Sequence, residues 1–461
     1  MFKQFAGLKK VHLVGIGGAG MSGIAEVLDA HDFEVTGSDL STSEVTERLQ
    51  GLGIRVEIGH QESNLGDAQL VVVSSAIPDH NNEVVAARGR GIAVVRRAEM
   101  LAELMRLKYG IAVAGTHGKT TTTSLIGTLL TEAGLDPTVI VGGRLRVSGT
   151  GARLGASEYM VAEADEYDRS FLHLQPILAV ITSIEAEHLD TYGDLDTIQD
   201  AFVEFASQVP FFGRVVVCLD EPNIQTILPR LADRRITTYG TSPQADLTAS
   251  EIEHGDGGVR FQVRHKARGE LGELYLPMPG IHNVRNALAA TAVALALDVE
   301  FPQLQQILAE FPGVHRRFER LGSWRDATVV DDYAHHPSEV EATLRATRAA
   351  YPASAIHAVF QPHLYSRTRD QASAFGRALL TADQAIVVDV YGSREQPIEG
   401  IDAGLIVDEA KGSGHRDVQW MSDWRDVIDA LEQRVEPGDV IITLGAGDIY
   451  ELAGQLVGLK A

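Results

Sequence analysis

Two glycine-rich segments of this chain have the composition of phosphate-binding loops. The first, Gly15-Ile16-Gly17-Gly18-Ala19-Gly20, follows the apolar run Val11–Val14, and the second, Gly115-Thr116-His117-Gly118-Lys119-Thr120, follows Ile111–Ala114. Such loops direct backbone N–H groups and the positive end of a helix at phosphate oxygens. Only the second loop carries a lysine, which suits a reacting triphosphate. The two loops together therefore predict two phosphorylated ligands. One is ATP, and its energy is spent on the other, a phosphate-bearing substrate.

The first loop alone matches the dinucleotide fingerprint. Gly15, Gly17 and Gly20 satisfy GxGxxG, and Asp39 ends the next predicted strand about 20 residues further on, as the fingerprint requires. This pattern keeps an NAD-dependent dehydrogenase open as an alternative, although the second loop disfavours it. The same geometry serves any pyrophosphate, including that of a UDP-sugar.

The second loop is shorter than the usual P-loop. The pattern GxxxxGK[ST] requires its first glycine where this chain has Val113. Lys119 nevertheless lies where its ammonium can reach β- and γ-phosphates, and the Thr120 hydroxyl can bind Mg²⁺. We therefore interpret the segment as an ATP site.

Two acidic segments could complete a metal site. Glu163 ends a predicted strand and leads a cluster of carboxylates, and His188 follows the next strand along the chain. Both lie at carboxyl ends of strands, where open α/β sheets bind ligands. Mg²⁺ prefers oxygen ligands, so a histidine is less expected than a carboxylate. A solvated acidic turn at Glu163 and a packed or surface histidine at 188 remain the alternatives.

The composition, with 44% hydrophobic and 22% charged residues, is ordinary for a soluble globular protein. The 461 residues suffice for about three domains of ~150 residues. A net charge of −23 argues against nucleic acid and anionic membranes as partners. The single cysteine, Cys218, fits a reducing compartment, and no apolar run approaches the ~20 residues of a membrane span. We expect a cytoplasmic protein that is not inserted in a membrane, as a monomer or weak homodimer.

The chain alternates short β-branched runs with helical patterns, which predicts an α/β fold with parallel sheets. A new unit begins at the strand Ile111–Ala114, and a third begins near Trp324. The β-rich stretch from Asp246 to Pro277 lies between them. We predict domains at 1–107, 108–321 and 322–461, of which the first and third are Rossmann-like and the second is a P-loop ATPase.

A series of motifs over almost the whole chain resembles the Mur ligase family of bacterial cell-wall synthesis. The motifs are Gly15–Gly23, Ser74–Ile77, Ala114–Thr120, Ala162–Glu166, His282–Leu288, His315–Glu319, Asp331–Pro337 and Phe360–His363. So many motifs in the family's order are far more specific than either glycine loop alone.

The resemblance implies the ligands of each domain. The first domain would bind a UDP-sugar through Gly15, Gly17, Gly18, Ala19, Gly20, Ser74 and Ser75. The second would bind ATP through Ala114, Gly115, Thr116, His117, Gly118, Lys119, Thr120, Asn283 and Asn286. Asp332 and His335 would reach the nucleotide from a third domain that closes on ATP and binds the amino acid through His363 and Arg367.

The resemblance also implies the groups that take part in catalysis, which are Lys119, Glu163, His188 and Arg317. Arg317 would be the phosphate-facing member of the Arg316–Arg317 pair. Thr120, Glu163 and His188 would bind Mg²⁺ or Mn²⁺. Several family members carry a modified lysine shortly after the metal-site histidine, whereas this chain has no lysine between His188 and Lys266. That absence favours the branch that adds L-alanine.

The implied reaction is ATP-dependent amide formation in peptidoglycan precursor synthesis. A lactyl carboxylate of UDP-N-acetylmuramate would be activated as an acyl phosphate, and L-alanine would displace the phosphate. A ligase that joins a whole tripeptide to the same nucleotide sugar remains the nearest alternative. A nucleotide-binding regulator without catalysis is a third hypothesis, which predicts ATP binding without phosphate release.

Overall fold

The computed structural model describes residues 7–74, 76–142, 151–255, 257–393 and 395–459. The chain packs into two compact units. One comprises Met1–Ser250, Gln262–Leu274 and Arg285–Pro312, and the other comprises Glu251–Phe261, Tyr275–Val284 and Gly313–Ala461.

The first sheet is parallel and has the strand order β3-β2-β1-β4-β5. Its strands are β1 (Lys10–Val14), β2 (Glu34–Asp39), β3 (Arg55–Ile58), β4 (Leu70–Val73) and β5 (Ala93–Arg96). The order reverses between β1 and β4, so the loops that follow these two strands flank a crevice at the carboxyl edge. The first glycine loop follows β1, and Ser74 follows β4.

The second sheet has the order β15-β14-β13-β12-β11-β10-β6-β9-β7-β8. Its central strands pair in parallel and are buried, as expected for a sheet with helices on both faces. The strands are β6 (Tyr109–Ala114), β7 (Thr138–Ile140), β8 (Ala152–Arg153), β9 (Tyr159–Glu163), β10 (Leu178–Ile181), β11 (Arg214–Cys218), β12 (Ile236–Gly240), β13 (Leu247–Gly255), β14 (Gly258–His265) and β15 (Gly269–Leu276).

The third sheet has the order β16-β17-β21-β18-β19-β20, in which only the edge pair β16 and β17 is antiparallel. Its strands are β16 (Glu319–Trp324), β17 (Ala327–Asp332), β18 (Ile356–Phe360), β19 (Gln384–Val388), β20 (Val418–Met421) and β21 (Val440–Leu444). Apolar clusters cover both faces of this sheet, so its strands are buried on both sides.

Helices connect the strands and supply the layers that cover the sheets. They are α1 (Ala19–Ala30), α2 (Glu44–Gly51), α3 (Asn82–Gly89), α4 (Arg97–Met105), α5 (Lys119–Glu132), α6 (Leu189–Tyr192), α7 (Leu195–Ser207), α8 (Pro222–Ile227), α9 (Ile281–Ala296), α10 (Phe301–Ala309), α11 (Pro337–Ala350), α12 (Tyr365–Ala378), α13 (Gly404–Gly412), α14 (Val427–Glu432) and α15 (Tyr450–Leu456). Among the residues that the structure describes, no helix has both the length and the apolarity to cross a membrane.

The predicted α/β class and its three sheets are confirmed, and the predicted strands at Val11–Val14 and Ile111–Ala114 lie within β1 and β6. The sequence analysis missed β8, β12, β16 and β20. β16 and β20 are edge strands, and their mixed polar sequences lack a buried apolar run. β16 crosses the boundary predicted after residue 321, and the domain boundaries stay a prediction.

Candidate active site

The second glycine loop joins β6 to α5 in a conformation that two of its glycines make possible. Gly115 has a φ of 131° and Gly118 a φ of 81°, both in the left-handed region that side chains disfavour. A Cβ at Gly115 would collide with Thr182, and one at Gly118 would lie 2.6 Å from Asn286 Oδ1. The close packing holds the loop against β10 and α9. The backbone amides of the loop therefore surround the N-terminus of α5. This arrangement is suited to binding a phosphate.

Backbone contacts to β10's carboxyl end fix the middle of this loop. Thr116 N donates to Ser183 O at 3.0 Å, and His117 N donates to Ser183 Oγ at 2.9 Å. The Thr182 hydroxyl donates to His117 O at 2.5 Å. Ala114, the last residue of β6, accepts from Thr182 N at 3.0 Å. These hydrogen bonds thus hold Thr116 and His117, in the middle of the predicted ATP loop, against the end of β10.

Lys119 begins α5 with its ammonium folded back over the loop. Its Nζ donates to Gly115 O at 2.7 Å and Thr116 O at 3.2 Å, and pairs with Glu166 Oε1 at 2.9 Å. Burial opposes the charge, but the Glu166, Asp165 and Glu163 carboxylates outweigh it and raise the pKa of Lys119 above its usual range. The lysine is therefore held as a cation beside the glycine loop.

Glu166 is the partner that the sequence analysis did not assign. Burial raises the pKa of this carboxyl to about 7, with Lys119 lowering it and Asp165 raising it. The acidic cluster at 163–168 was visible in the sequence, but spacing alone could not show which carboxylate turns toward the lysine.

Thr120 and Glu163 form an oxygen-rich pair at the same edge of the sheet. The Thr120 hydroxyl lies 3.0 and 3.1 Å from the two carboxylate oxygens of Glu163, and Gly142 N donates to Glu163 Oε2 at 2.8 Å. A hydroxyl beside a carboxylate is the donor set that Mg²⁺ prefers. The residues present therefore fit the predicted metal.

His188 lies in a second cluster, with Glu166 and Glu187, whose candidate ligand atoms are within 4.8 Å of one another. His188 Nε2 is 3.8 Å from Glu166 Oε1 and 4.0 Å from Glu187 Oε2. Its backbone has a φ of 55°, a left-handed conformation uncommon for histidine, just before α6. The fold thus brings His188 to the acidic edge, and Glu187 is a neighbour that the sequence analysis left unassigned.

The two asparagines predicted to bind ATP, Asn283 and Asn286, are buried in the first two turns of α9. Asn286 Oδ1 accepts from the Thr122 hydroxyl at 3.1 Å, beneath Gly118. Asn283 Nδ2 donates to Pro279 O at 2.8 Å. Asn286 therefore supports the phosphate loop directly, a contact that its motif did not reveal.

In the second unit, the adjacent residues Arg316 and Arg317 have different surroundings. Arg316 Nε pairs with the buried Asp331 at 3.0 Å, its other nitrogens donate to the carbonyls of Gly445 and Gly447, and its guanidinium stacks on Tyr333 and Tyr450. The Arg316 guanidinium is thus bound by a carboxylate, two backbone carbonyls and two aromatic rings of the second unit.

Arg317 makes weaker contacts within the same unit. Its Nη1 lies 3.7 Å from Glu339, its guanidinium lies over the ring of Tyr333, and its side chain is 27% exposed. The contrast agrees with the predicted phosphate-facing role of Arg317.

Asp332 is the last residue of β17, and His335 lies in the segment that follows it. Asp332 accepts from Phe318 N at 2.7 Å and Ala334 N at 2.8 Å, and burial raises its pKa to about 6 against the opposing charge of Arg317. His335 Nδ1 lies 3.0 Å from Tyr333 O. Asp332 fixes the turn that presents His335.

The predicted amino-acid residues lie together at the start of α12. The His363 ring is 5.6 Å from the His335 ring and stacks on Tyr391 at 6.0 Å, measured between centroids. Arg367 Nη1 donates to His335 O at 3.3 Å. Tyr391 belongs to this group and was not identified from the sequence, because it follows a different strand, β19.

The first glycine loop is held by the carboxyl end of β2. Gly15 N and Ile16 N both donate to Ser38 O, at 2.8 and 3.0 Å. Gly17 N donates to Asp39 Oδ2 at 2.8 Å, and Leu40 N donates to Asp39 Oδ1 at 2.8 Å. The Asp39 carboxylate thus binds the protein's own backbone, which differs from the ribose-binding role that the dinucleotide fingerprint assigns.

The remaining predicted UDP-sugar residues surround this loop. A Cβ on Gly15 would lie 3.3 Å from Ser74 Cβ, and one on Gly20 would lie 2.9 Å from Arg97 Nη1. Gly18 precedes α1 as its N-cap. Ser75 lies outside the described residues, and so does the side chain of Ala19.

Family models of the Mur ligases match successive parts of the chain. The Mur ligase family catalytic domain matches residues 10–109, the Mur ligase middle domain matches 113–294, and the Mur ligase glutamate ligase domain matches 316–447. Together with the three sheets and the lysine-bearing loop, these matches show that the chain belongs to the Mur ligase family, which confirms the resemblance.

One curated relative and two solved structures match nearly the whole chain. UDP-N-acetylmuramate--L-alanine ligase of Geobacter sp. (strain M21) is 49% identical over 459 residues, which cover 99% of each chain. The solved UDP-N-acetylmuramate-alanine ligase of Thermotoga maritima has a TM-score of 0.82 at 29% identity, over 97% of this chain and 98% of that one. A murein peptide ligase of Psychrobacter arcticus has a TM-score of 0.68 at 25% identity, with the same coverage.

Proposed function

We propose that this chain is an ATP-dependent ligase that joins L-alanine to the lactyl carboxylate of UDP-N-acetylmuramate, forming ADP and phosphate in peptidoglycan precursor synthesis. The observation that carries the proposal is the 49% identity with a UDP-N-acetylmuramate--L-alanine ligase across 99% of both chains. The buried cationic lysine beside a phosphate cradle supports the ATP-dependent step.

ATP binds the loop from Ala114 to Thr120 in this proposal. The loop amides and the N-terminus of α5 hold phosphate oxygens, and the Lys119 ammonium leaves Glu166 to neutralise the γ-phosphate. Mg²⁺, or Mn²⁺ in its place, supplies further positive charge when held by Thr120 and Glu163, with His188 serving a second ion. Arg317 contributes positive charge from the second unit.

The chemistry has two steps. A carboxylate oxygen of UDP-N-acetylmuramate attacks the γ-phosphorus, and the bond from that phosphorus to the oxygen bridging it to the β-phosphate breaks. The products of this step are ADP and an acyl phosphate. The neutral amine of L-alanine then attacks the carbonyl carbon, and the tetrahedral intermediate expels phosphate as it loses a proton. Two anions meet in the first step, so the cationic groups lower its barrier by neutralising charge.

The first glycine loop binds the nucleotide sugar in this proposal, through Gly15, Gly17, Gly18, Ala19, Gly20, Ser74 and Ser75. His363 and Arg367 bind the amino acid, because a guanidinium grips a carboxylate bidentately. Asn283, Asn286, Asp332 and His335 serve the nucleotide of ATP.

Phosphate release in the presence of ATP and Mg²⁺ tests the proposal. The assay compares UDP-N-acetylmuramate with L-alanine against the same sugar with the cell-wall tripeptide. Release that depends on the sugar and on L-alanine is the expected result. Phosphate release with the sugar and the tripeptide, but not with the sugar and L-alanine, would identify the peptide-joining ligase. ATP binding without any phosphate release would identify a non-catalytic regulator.

A further inference from the structure

A buried polar cluster lies under the carboxyl edge of the first sheet. At its centre is Glu83, in the first turn of α3, which is fully buried. Glu83 Oε2 accepts from the Ser38 hydroxyl at 2.6 Å, and Glu83 Oε1 accepts from Asn64 Nδ2 at 2.6 Å. Gln61 N donates to Glu83 Oε1 at 3.3 Å. A buried carboxylate needs such donors, because its desolvation is otherwise costly.

Two histidines flank the same carboxylate. His12 Nε2 lies 3.7 Å and His60 Nδ1 lies 3.4 Å from Glu83 Oε2, and both rings are almost completely buried. Burial raises the pKa of Glu83, but the contacts with His12, Ser38 and Asn64 outweigh it, so that the pKa lies below its usual range. The group is therefore held as a carboxylate at the centre of the cluster.

Ser38 links this cluster to the first glycine loop. Its hydroxyl is bound by Glu83, while its backbone carbonyl accepts from both Gly15 N and Ile16 N. Ser38 is fully buried and directly precedes Asp39, whose carboxylate accepts from Gly17 N. Three consecutive amides of the loop are thus bound to the two residues at the end of β2.

We propose that Glu83 is a positioning residue for the nucleotide sugar, which fixes Ser38 and through it the amides of the first glycine loop. The inference rests on the proposed binding of UDP-N-acetylmuramate at that loop. A loop whose amides are already oriented binds a pyrophosphate without the cost of ordering them, so the predicted effect is on sugar affinity.

Glu83→Gln and Ser38→Ala test the proposal in the full chain, with Asp79→Asn as the matched control. Asp79 forms an ion pair with Arg88, which lies on α3 together with Glu83. The Asp79 side chain is 73% exposed and lies outside the buried cluster. Calorimetric titration gives the Kd for UDP-N-acetylmuramate. Steady-state kinetics give kcat and the two KM values, and hydrogen exchange reports the loop amides.

Both variants are expected to weaken sugar binding about tenfold, since each removes a hydrogen bond to a charged group. Exchange at Gly15 and Ile16 is expected to accelerate, while kcat at saturation and the KM for ATP stay as in the control. The double variant is expected to bind no more weakly than Glu83→Gln alone, because the two residues act as one unit. Ser38→Ala tests the same link if Glu83→Gln does not fold.

Two results would overturn the inference, and they differ in what else they reject. If the wild-type chain binds the sugar and both variants bind it equally well, only the role of Glu83 is rejected. If the wild-type chain itself does not bind the sugar, the proposed function fails, and the role of Glu83 fails with it.

Discussion

At the scale of single residues, Lys119 is a buried cation whose ammonium has several hydrogen-bond partners. Its ammonium is bound by two loop carbonyls and Glu166, so no charge is buried without a partner. The Lys119 ammonium therefore lies directly against the carbonyls of Gly115 and Thr116 in the glycine loop.

Lys119→Ala is predicted to reduce turnover to less than about a hundredth of the wild-type rate, because the γ-phosphate loses its neutralising charge. UDP-N-acetylmuramate binding should stay nearly unchanged, since it is assigned to the other loop. Phosphate release and calorimetric titration measure the two quantities. Lys266→Ala, at a side chain that is 70% exposed, is the control. Substantial residual turnover would reject the role of Lys119.

Arg367→Ala is predicted to raise the KM for L-alanine at least about tenfold, equivalent to ~1.4 kcal/mol, and to leave the KM for ATP little changed. Arg369→Ala is the matched control, because Arg369 lies on the same helix and pairs only with its neighbour Asp370 among the described contacts. An unchanged KM for L-alanine would move the acceptor site elsewhere.

At the scale of elements, the segment before β16 places two arginines in opposite environments. Positive φ values at Arg316 and Phe318, 55° and 46°, turn the backbone sharply on either side of Arg317. Arg316 is thereby directed into the unit, toward Asp331 and the carbonyls after β21, while Arg317 stays partly exposed. One turn thus directs Arg316 into the unit and leaves Arg317 partly exposed.

Substituting each arginine separately tests this division. Arg316→Ala should lower the free energy of unfolding of the second unit by about 3 kcal/mol, because it leaves the buried Asp331 without its ion pair. Arg317→Ala should reduce turnover at least about tenfold with little loss of stability. Urea denaturation and phosphate release measure the two effects, and Arg345→Ala, 71% exposed on α11, is the control. The reverse pattern would contradict the assignment.

The sequence predicted the elements well where apolar runs are buried, as in β6 and β10, because burial on both faces leaves a clear pattern. It did not predict β16 or β20, whose edge positions require no such run. The glycine loops were located correctly. The contacts that hold them, from Ser38, Asn286 and Glu166, come from distant segments, and no local spacing encodes which side chains meet there.

At the scale of the whole molecule, two glycine loops on separate sheets serve different ligands in this account. The Asp39 carboxylate accepts two backbone amides and so supports its own loop. Titration with NADH, followed by its fluorescence, should therefore show no saturable binding that UDP-N-acetylmuramate displaces. Such binding would mean that Asp39 reads an adenosine ribose, and it would revive the dehydrogenase alternative.

The fate of the carboxylate oxygens tests the central claim most directly. UDP-N-acetylmuramate labelled with ¹⁸O at both lactyl carboxylate oxygens is incubated with ATP, Mg²⁺ and L-alanine, and the products are analysed by mass spectrometry. An acyl phosphate predicts that one labelled oxygen leaves in inorganic phosphate and the other stays in the new amide. Amide product with unlabelled phosphate, or no L-alanine adduct at all, would contradict the account.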